Sequence, residues 1–306
     1  MNNSKILVLF HRNCIDGFIS AWITRQFFGY DRVELISMDY GDPVPDLKGR
    51  TAYIVDFSFK PMLLLPAIVE AKAVVMLDHH INAIEQWDGV ELPENLTFVK
   101  DNTRSGIGIV WDFLYSKNLL PRLFAHAQDY DLWTFKIPFS REVVSALYTK
   151  GFVQTEDFKY FDELYDQYNS NPKELLLQLR HEGKAIIEGN RIIINAIIKR
   201  NMTLVTLAGC IVPMCNIPHE HASLAGELLA INYPFAILYE DRLSQGVRKY
   251  SLRSTVGVGI DVNTVANLFG GGGHFHSAGF TTTLTTPLPI FKTKEFNENE
   301  NQSTPF

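Results

Sequence analysis

Acidic residues and histidines directly follow several short apolar runs in the first half of this 306-residue chain. The clearest example is AVVMLDHH at 73–80, in which five apolar residues lead into Asp78, His79 and His80. A buried charge without a partner costs several kcal/mol, so these side chains require compensating charges. A bound metal ion would supply that positive charge and would explain why a carboxylate and two imidazoles end an apolar run.

Other apolar runs are followed by the same residue types. The candidates for a shared site are His11, Asp16, Asp56, Asp78, His79, His80, Asp129 and Asp131. Carboxylates and imidazoles without a cluster of thiolates suit Mn²⁺ or Mg²⁺ better than structural zinc. The number of carboxylates favours two ions over one.

The spacing of the runs predicts the elements that would position these side chains. β-Rich runs at 6–10, 52–57, 73–77 and 96–99 alternate with helical segments at 16–28, 60–71 and 105–117. This alternation is typical of an α/β domain with a doubly wound, mainly parallel sheet. Ligands bind such sheets at the carboxyl ends of the strands, which is where the candidate residues occur.

The second half of the chain predicts a separate, smaller α/β domain. The region from 119 to 200 is helical, and 173–200 is long enough to be a bridging helix. The elements predicted after it are a strand near 202–212, a helix at 219–231, strands at 234–240 and 248–254, a helix at 261–269 and a strand at 277–284. The last residues, 291–306, are polar and predict a disordered tail.

The composition excludes several classes of function. With a net charge of −6, the chain lacks the basic surface needed to coat duplex nucleic acid or to track a long strand, although a local site for a small anion remains compatible. Its three cysteines do not make a disulfide framework, which favours a reducing, cytoplasmic location. The N-terminal run predicts a strand rather than a cleaved leader, and no run approaches the roughly 18 apolar residues of a membrane span.

Five motifs together resemble a known family. LDHH, with HRNCIDGF, YIVDF, AQDYDLW and FGGGGHFHSAGF, occurs in an order and spacing similar to the DHH family of phosphoesterases with a DHH-associated C-terminal domain. The resemblance extends from His11 to Phe280 and implies a metal-dependent hydrolase. It implies a DHH domain over 1–180, a linker helix over 181–200 and a substrate-binding domain over 201–290.

The resemblance also implies a ligand set for two divalent ions, with Mn²⁺ favoured and Mg²⁺ or Co²⁺ as alternatives. His11 and Asp56 would bind one ion. Asp16, Asp56, His79 and Asp129 would bind the other, so that Asp56 bridges the two.

Two further residues are implied to take part in catalysis. Asp78 would orient an imidazole, as carboxylates near metal-bound histidines usually do. His80 would face the substrate and donate a hydrogen bond or a proton to one of its oxygens. His126 and Asp131, which flank Asp129, are interpreted as structural residues or as residues that support the metal ligands from behind.

One departure from the family pattern concerns the first ion. The family usually carries Asp-x-Asp after the first histidine, whereas this chain has Cys14-Ile15-Asp16. Cys14 could bind as a thiolate, Asn13 could substitute, or the ion could be held weakly through water. We expect a working site with an altered metal preference, because the other ligand positions are filled.

The second domain contains a candidate anion site. Glycines let the backbone approach an anion closely, and an arginine fork matches the geometry of phosphate. In the resembling family this module holds the part of the substrate that is not cleaved, and a Ser-Gly segment borders the site. The predicted substrate-binding residues are Arg253, Gly271, Gly272, Gly273, His274 and Ser105. The nearby HEH motif at 219–221 is interpreted as the solvated start of a helix.

These features predict a cytoplasmic phosphoesterase that hydrolyses small nucleotides by a metal-activated water in a cleft between the domains. Short oligoribonucleotides or 3',5'-bisphosphate nucleotides are the favoured substrates. No duplex nucleic acid or membrane is expected as a partner, and a homodimer is compatible. The alternatives are a cyclic-dinucleotide phosphodiesterase and, from another class, a catalytically impaired nucleotide-binding sensor.

Overall fold

The computed structural model describes residues 5–116, 118–286 and 291–292. The chain divides into two compact units, Met1–Ile187 and Glu188–Phe306. Among the described residues, no helix combines the length and the apolar character needed to cross a membrane.

The first unit contains a five-stranded sheet in which every pair of neighbouring strands is parallel. Its strands are β1 (Ile6–His11), β2 (Val33–Met38), β3 (Thr51–Val55), β4 (Ala73–Asp78) and β5 (Leu96–Lys100). Their order in the sheet is β2-β1-β3-β4-β5. The next two strands in the chain, β2 and β3, therefore lie on opposite sides of β1, which is the arrangement of a doubly wound sheet.

Both faces of this sheet are buried. Leu7 and Leu9 of β1 belong to one apolar cluster, and Val8 and Phe10 belong to the other. Successive side chains of a strand point to opposite faces, so a strand covered on both sides must be apolar throughout. This explains why the strand at 6–10 is a continuous apolar run.

Helices cover the two faces unequally. They are α1 (Ile15–Phe28), α2 (Pro61–Ile68), α3 (Ile81–Ile84), α4 (Gly106–Tyr115), α5 (Arg122–Asp131), α6 (Ser140–Thr149), α7 (Phe152–Thr155), α8 (Phe158–Ser170) and α9 (Pro172–Asn201). Helix α2 packs in the cluster that contains Leu7, whereas α1 and α4–α8 contribute to the cluster that contains Val8. Helix α9 begins in the first unit and ends in the second.

The strand β2 was absent from the sequence prediction. It lies at the edge of the sheet, and its burial is incomplete, with Glu34 exposed and Leu35, Ile36 and Ser37 half-buried. An edge strand has one neighbour only, so its sequence is less uniformly apolar than that of a central strand. The segment VELISM therefore lacks the continuous apolar run that identified the other strands.

The second unit contains a mixed sheet with a helix on each face. Its elements are β6 (Thr203–Leu207), β7 (Cys210–Asn216), α10 (Ala222–Ala230), β8 (Ala236–Arg242), β9 (Val247–Arg253), α11 (Val262–Asn267), β10 (Gly272–His274), β11 (Ser277–Thr283) and β12 (Phe291–Lys292). The order is β10-β11-β9-β8-β7-β6-β12, and β7 and β8 form the parallel pair. The predicted fold class, a mainly parallel N-terminal α/β unit followed by a smaller α/β unit, is confirmed.

Two details of the second unit differ from the sequence prediction. The segment 202–212, predicted as one strand, is a hairpin of β6 and β7 whose turn residues Ala208 and Gly209 both have positive φ, at 50° and 78°. Such a turn allows two antiparallel strands to pair across two residues. Phe291 and Lys292, predicted to begin the tail, pair with β6, and residues 293–306 lie outside the described residues.

Candidate metal centre

The candidate metal centre lies at the carboxyl edge of β1, β3 and β4, which are neighbours in the sheet. His11 is the last residue of β1, Asp56 directly follows β3, and Asp78 is the last residue of β4. The residues that precede them are in register, since Phe10 pairs with Val55 and Val55 pairs with Leu77. Parallel pairing thus brings side chains from distant parts of the sequence to one edge.

Three overlapping groups of potential metal ligands occur at this edge. They are His11, Cys14 and Asp56; Asp56, His79 and His80; and Asp16, His79 and Asp131. Within each group the ligand atoms lie within 4.8 Å of one another. Asp56 and His79 each belong to two groups. Adjacent groups that share ligands are the arrangement expected of a centre for two ions.

Asp56 is the central carboxylate of the centre. It is fully buried, and its backbone adopts the left-handed conformation with φ of 54°, which is uncommon for a residue other than glycine. One of its oxygens, Oδ1, lies 3.1 Å from Nε2 of His79. The other, Oδ2, lies 3.7 Å from Nδ1 of His11, which is beyond hydrogen-bonding distance.

Several buried polar atoms of the centre have no hydrogen-bond partner. They are Nδ1 of His11, Oδ2 of Asp56 and Oδ2 of Asp131. Buried polar atoms are nearly always satisfied, so three of them around one edge require an explanation. Nitrogen and oxygen lone pairs that lie within 4.8 Å of one another are suitable ligands for a divalent ion. The residues present therefore fit the metal centre that the sequence predicted.

The electrostatics of the centre favour a cation. Burial raises the pKa of Asp16 well above its usual range, and the carboxylates of Asp56 and Asp131 raise it further. Burial also raises the pKa of Asp131. Burial alone would lower the pKa of His79, but Asp131 and Asp56 outweigh it and raise this pKa to about 10. Three carboxylates thus surround one imidazole, which leaves an excess of negative charge.

The pKa of Asp56 moves in the opposite direction. Burial by itself would raise it, but the neighbouring imidazoles of His11 and His79 hold it well below its usual range. Asp56 is therefore the carboxylate of the centre that most strongly keeps its negative charge. A retained negative charge suits a carboxylate that belongs to two of the groups of potential metal ligands.

Asp16 is held by the start of helix α4. Its Oδ1 accepts hydrogen bonds from the hydroxyl of Ser105 at 2.8 Å and from the backbone N–H of Ile107 at 3.0 Å. Its Oδ2 accepts from the backbone N–H of Gly106 at 2.5 Å. A carboxylate at a helix N-terminus is stabilised by the unpaired N–H groups there. Ser105 is fully buried and orients Asp16, and its predicted place beside the substrate stays a prediction.

Gly106 allows α4 to approach the centre. A Cβ atom at this position would lie 2.6 Å from Cβ of Asp56 and 2.9 Å from Oδ2 of Asp16. Distances this short do not occur between real side chains, so the close approach requires glycine. The sequence contains this signal as SGIG at the start of an apolar helix, but the residues that Gly106 approaches cannot be read from it.

Asp78 orients His80. The Oδ1 of Asp78 lies 2.7 Å from Nδ1 of His80 and accepts hydrogen bonds from the backbone N–H groups of His79 at 2.8 Å and His80 at 3.3 Å. Its Oδ2 accepts from the hydroxyl of Ser58. Burial alone would raise the pKa of Asp78, but His80 and Ser58 lower it below its usual value. The imidazole that Asp78 was predicted to orient is therefore that of His80.

Asp129, a predicted metal ligand, does not join the three groups. Its carboxylate accepts hydrogen bonds from the hydroxyls of Thr134 and Ser140, both at 2.6 Å. It also accepts from the backbone N–H groups of Lys136 at 2.8 Å and Ile137 at 3.0 Å. These four bonds close the loop between α5 and α6. The carboxylate of Asp129 thus has four hydrogen-bond donors from the protein, and its role as a metal ligand stays a prediction.

Asp131, interpreted from the sequence as structural or as supporting the ligands, belongs to the third group of potential ligands. Its Oδ2 lies 3.4 Å from Nε2 of His79. Residues three or four apart in a helix share a face, and Phe124, Ala127 and Asp131 follow one stripe whose first two members are in the core. Asp129 lies off this stripe. The helical spacing within α5 contains the signal that separates the two acids.

Cys14 occupies the position at which the resembling family has an acid. It immediately precedes α1, where its backbone is extended (φ −112°, ψ 131°), and its side chain makes no capping hydrogen bond. Burial and the carboxylates of Asp56 and Asp131 raise the pKa of its thiol well above the usual value. Asn13, the alternative ligand, is exposed.

The predicted substrate-binding residues of the second unit lie on neighbouring strands. Arg253 is the last residue of β9 and pairs with Ser277 of β11, and Ser277 pairs in turn with His274 of β10. The guanidinium of Arg253 donates to the backbone oxygen of Leu252 at 2.9 Å and to the hydroxyl of Ser223 at 3.2 Å.

The glycine run has a structural role in the pairing of β10 with β11. A Cβ at Gly271 would lie 2.1 Å from the backbone oxygen of Gly279, and one at Gly273 would lie 2.5 Å from Cα of Ala278. Gly272 pairs directly with Gly279. Gly271 and Gly273 are therefore required for close strand packing, and anion binding by Gly271–Gly273 and His274 stays a prediction.

Comparison with known proteins places the chain near one curated protein. No family model matches the chain. Uncharacterized protein R106 of Acanthamoeba polyphaga mimivirus is 29% identical over 297 residues, which cover 89% of this chain and 66% of that protein. The chain thus spans just under two thirds of the length of this relative.

Solved structures with a similar fold are more distant. RecJ of Thermus thermophilus in complex with Mn²⁺ has a TM-score of 0.47 at 13% identity, covering 90% of this chain and 49% of RecJ. The pGpG-specific phosphodiesterase PggH of Vibrio cholerae has a TM-score of 0.44 at 10% identity, covering 92% and 94%. An uncharacterized protein of Helicobacter pylori has a TM-score of 0.41 at 16% identity, covering 91% and 93%. Likenesses of this degree identify neither the substrate nor the reaction of this chain.

Proposed function

We propose that this protein is a metal-dependent phosphoesterase of the DHH type that hydrolyses small nucleotide substrates. The observation that carries the proposal is the pair of ligands shared between groups, Asp56 and His79, at the carboxyl edge of the parallel sheet. Shared ligands hold two ions close together, and such pairs of ions are typical of enzymes that hydrolyse phosphate esters.

The ligand set follows from the three groups. His11 and Asp56, with Cys14, would hold one ion. Asp16, Asp56, His79 and Asp131 would hold the other. Divalent ions at these positions would supply Lewis acidity toward the phosphoryl oxygens and would activate a water molecule. Mn²⁺ is the favoured ion, with Mg²⁺ and Co²⁺ as alternatives, because carboxylates and imidazoles predominate.

The other residues of the centre position the reacting groups. Asp78 holds the imidazole of His80 through its Nδ1, so the ring has a fixed orientation. His80 lies at the rim of the centre, where its side chain is 22% exposed, and it can donate a hydrogen bond to a substrate oxygen. Ser105 and the N-terminus of α4 hold Asp16 in place.

The exposed Tyr40, whose ring centroid lies 5.6 Å from that of His11, borders the same edge.

A nucleotide substrate is favoured by the chemistry of the second unit. Lys249, Ser251 and Arg253 alternate along β9 and therefore share one face of the sheet, which provides two positive charges and a hydroxyl for a phosphate. Because the chain has a net charge of −6, this local positive face favours a substrate with few phosphates over a long strand. Short oligoribonucleotides and 3',5'-bisphosphate nucleotides meet this requirement.

A panel of substrates tests the proposal. The purified protein is incubated with Mn²⁺, Mg²⁺, Co²⁺ or a chelator and with a 5'-phosphorylated RNA dinucleotide such as pGpG, 3'-phosphoadenosine 5'-phosphate, cyclic di-AMP or pyrophosphate. Products are separated by chromatography. Asp56→Asn is the inactive control, and Asp166→Asn, which alters an exposed acid in α8, is the matched control for purification.

We expect metal-dependent hydrolysis of a linear dinucleotide or of the bisphosphate, retained in Asp166→Asn and lost in Asp56→Asn. Hydrolysis of cyclic di-AMP in preference to the linear substrates would favour the cyclic-dinucleotide alternative. If the protein binds nucleotide in the presence of each metal and releases it unchanged, the sensor alternative replaces the proposal.

A further inference from the structure

We infer that Cys14 is a metal ligand and that its thiolate, with His11 and Asp56, forms a thiolate subsite that prefers Co²⁺ or Zn²⁺ to Mg²⁺. The inference rests on the proposed metal centre. It specifies the ligands and the metal preference of the first of its two ion sites. It concerns the one ligand position at which this chain departs from the pattern of the family that it resembles.

The geometry of the subsite supports this assignment. The Sγ of Cys14 lies within 4.8 Å of ligand atoms of both His11 and Asp56. The backbone on either side is fixed, because the N–H of Phe18 donates to the carbonyl of Cys14 at 2.9 Å and the N–H of Ile15 donates to the hydroxyl of Tyr148 at 3.3 Å. The thiol is thus held beside the two other ligands by a turn of defined conformation.

The partners of Cys14 provide a second, independent observation. Nδ1 of His11 and Oδ2 of Asp56 are buried atoms without a hydrogen-bond partner, and Asp56 is fully buried. A buried carboxylate oxygen and an imidazole nitrogen that cannot satisfy each other at 3.7 Å require a cation or a donor between them. The sulfur of Cys14 lies where it would complete a set of one nitrogen, one oxygen and one sulfur ligand.

The chemistry of the sulfur determines the metal preference. On binding, the thiol loses its proton to solvent and a sulfur–metal bond forms, so that the thiolate replaces the negative charge of the missing carboxylate. Thiolates favour Zn²⁺ and Co²⁺ strongly over Mg²⁺, which selects oxygen ligands. The group of Asp16, His79 and Asp131 contains no sulfur and keeps the preference for harder ions. We therefore expect the two ions of the centre to differ in kind.

Cobalt binding followed by absorption spectroscopy tests the inference without a measurement of activity. Co²⁺ is added under anaerobic conditions to protein freed of metal by a chelator. Sulfur ligation produces an intense charge-transfer band in the near ultraviolet, whereas ligand-field bands in the visible region report any bound Co²⁺. The variants are Cys14→Ser and Cys14→Asp, with Cys210→Ser as the matched control, since Cys210 is a half-buried cysteine of β7.

We expect the charge-transfer band in the wild type and in Cys210→Ser, and its loss in Cys14→Ser with the visible bands retained. The affinity for Zn²⁺ in Cys14→Ser should fall at least about tenfold, because even loss of a residue that only supports a ligand costs about 10- to 100-fold. Cys14→Asp, which restores the acid of the family pattern, should move the preference toward Mn²⁺ and Mg²⁺. Its behaviour also tests the inference if the serine variant fails to fold.

Two results would overturn the inference while leaving the proposed function intact. One is binding of Co²⁺ by the wild type with visible bands but without the charge-transfer band. The other is an unchanged charge-transfer band in Cys14→Ser. If the wild type binds no Co²⁺ and is not stabilised by Mn²⁺, the metal centre itself is refuted and the proposed function is refuted with it.

Discussion

Asp56 and His79 form the closest contact between an acid and an imidazole from different strands of the metal centre, with Oδ1 of Asp56 3.1 Å from Nε2 of His79. The second oxygen of Asp56 has no hydrogen-bond partner although the residue is fully buried. The pair therefore satisfies one half of the carboxylate and leaves the other half for a ligand that is not a side chain.

Asp56→Asn should abolish the stabilisation of the protein by divalent ions. Asparagine has the same shape and tolerates the left-handed backbone at this position, so the fold should persist. A ligand common to two groups is lost, however, and we expect metal affinity to fall at least about 100-fold. The measurement is the shift of the thermal midpoint on addition of Mn²⁺, which the wild type and Asp166→Asn should retain. A full shift in Asp56→Asn would contradict the central position of this carboxylate.

Asp129→Asn and Asp131→Asn should have opposite effects on stability and on metal binding. Asp129 accepts four hydrogen bonds, so its variant should lower the free energy of unfolding by about 1.5–3 kcal/mol and keep the response to Mn²⁺. Asp131→Asn removes a carboxylate from a centre with excess negative charge, so the metal-free protein should be as stable as the wild type or more so, and the response to Mn²⁺ should be weakened.

Urea unfolding of both variants with and without Mn²⁺ measures the two effects together. Both variants replace an aspartate with asparagine, and the two positions lie two residues apart. Differences between them in stability or in the Mn²⁺ response therefore reflect the surroundings of each carboxylate. Loss of the Mn²⁺ response in Asp129→Asn alone would reverse the assignment and restore the one predicted from the sequence.

Gly106→Ala should destabilise the metal centre. The added Cβ would lie 2.6 Å from Cβ of Asp56, and the helix start must move to accommodate it. Overpacking of this kind costs about 1–3 kcal/mol in the free energy of unfolding. Displacing the N–H of residue 106 also weakens the support of Asp16, so the response to Mn²⁺ should decrease.

Gly189→Ala is the matched control for this substitution. Gly189 lies in helix α9, and a Cβ there meets no atom within 4 Å. Alanine should stabilise the helix by about 0.5–1 kcal/mol and leave the metal response unchanged. Equal effects of the two substitutions in urea unfolding would show that the approach of α4 to Asp56 is not tight.

His126 should make the stability of the protein depend on pH. Its Nδ1 lies 3.1 Å from the hydroxyl of Ser140, which donates to Asp129. Burial, and to a smaller extent Arg122, lowers the pKa of His126 from 6.5 to about 4. The unfolded chain therefore binds more protons than the folded protein between these values. The stabilisation is complete above pH 6.5 and is lost as the pH falls toward 4.

The expected loss from His126 is about 1 kcal/mol between about pH 7 and about pH 5.5, from the difference between the two pKa values. Urea unfolding at the two pH values, in the wild type and in His126→Gln, isolates this contribution because the other titrating groups are common to both proteins. His181→Gln, which alters an exposed histidine, is the control and should behave as the wild type. The same pH dependence in His126→Gln and in the wild type would disprove the assignment.

The extent to which the site could be predicted differs between its residues. The apolar runs that identify the central strands also locate the residues at or just after their ends, which are His11, Asp56, Asp78, His79 and His80. The edge strand β2 was not predicted, because its partly buried sequence contains no continuous apolar run. The hairpin turn at Ala208 and Gly209 was not predicted, because two small residues do not visibly interrupt the apolar pattern of 202–212. The motif alone does not separate Asp129 from Asp131, whereas the structure places Asp131 in a group of potential ligands and gives Asp129 four hydrogen-bond donors.

The sequence by itself determined that the first unit is an α/β sheet with acids and histidines at the ends of its strands, because strands buried on both faces are continuous apolar runs that can be read from the chain. The tertiary structure alone decided which atoms meet. Contacts such as Gly106 against Asp56, Ser105 on Asp16 and Cys14 beside His11 depend on packing distances of a few ångströms between elements. Those distances are set by all the side chains of the core together, so no local segment of the sequence contains them.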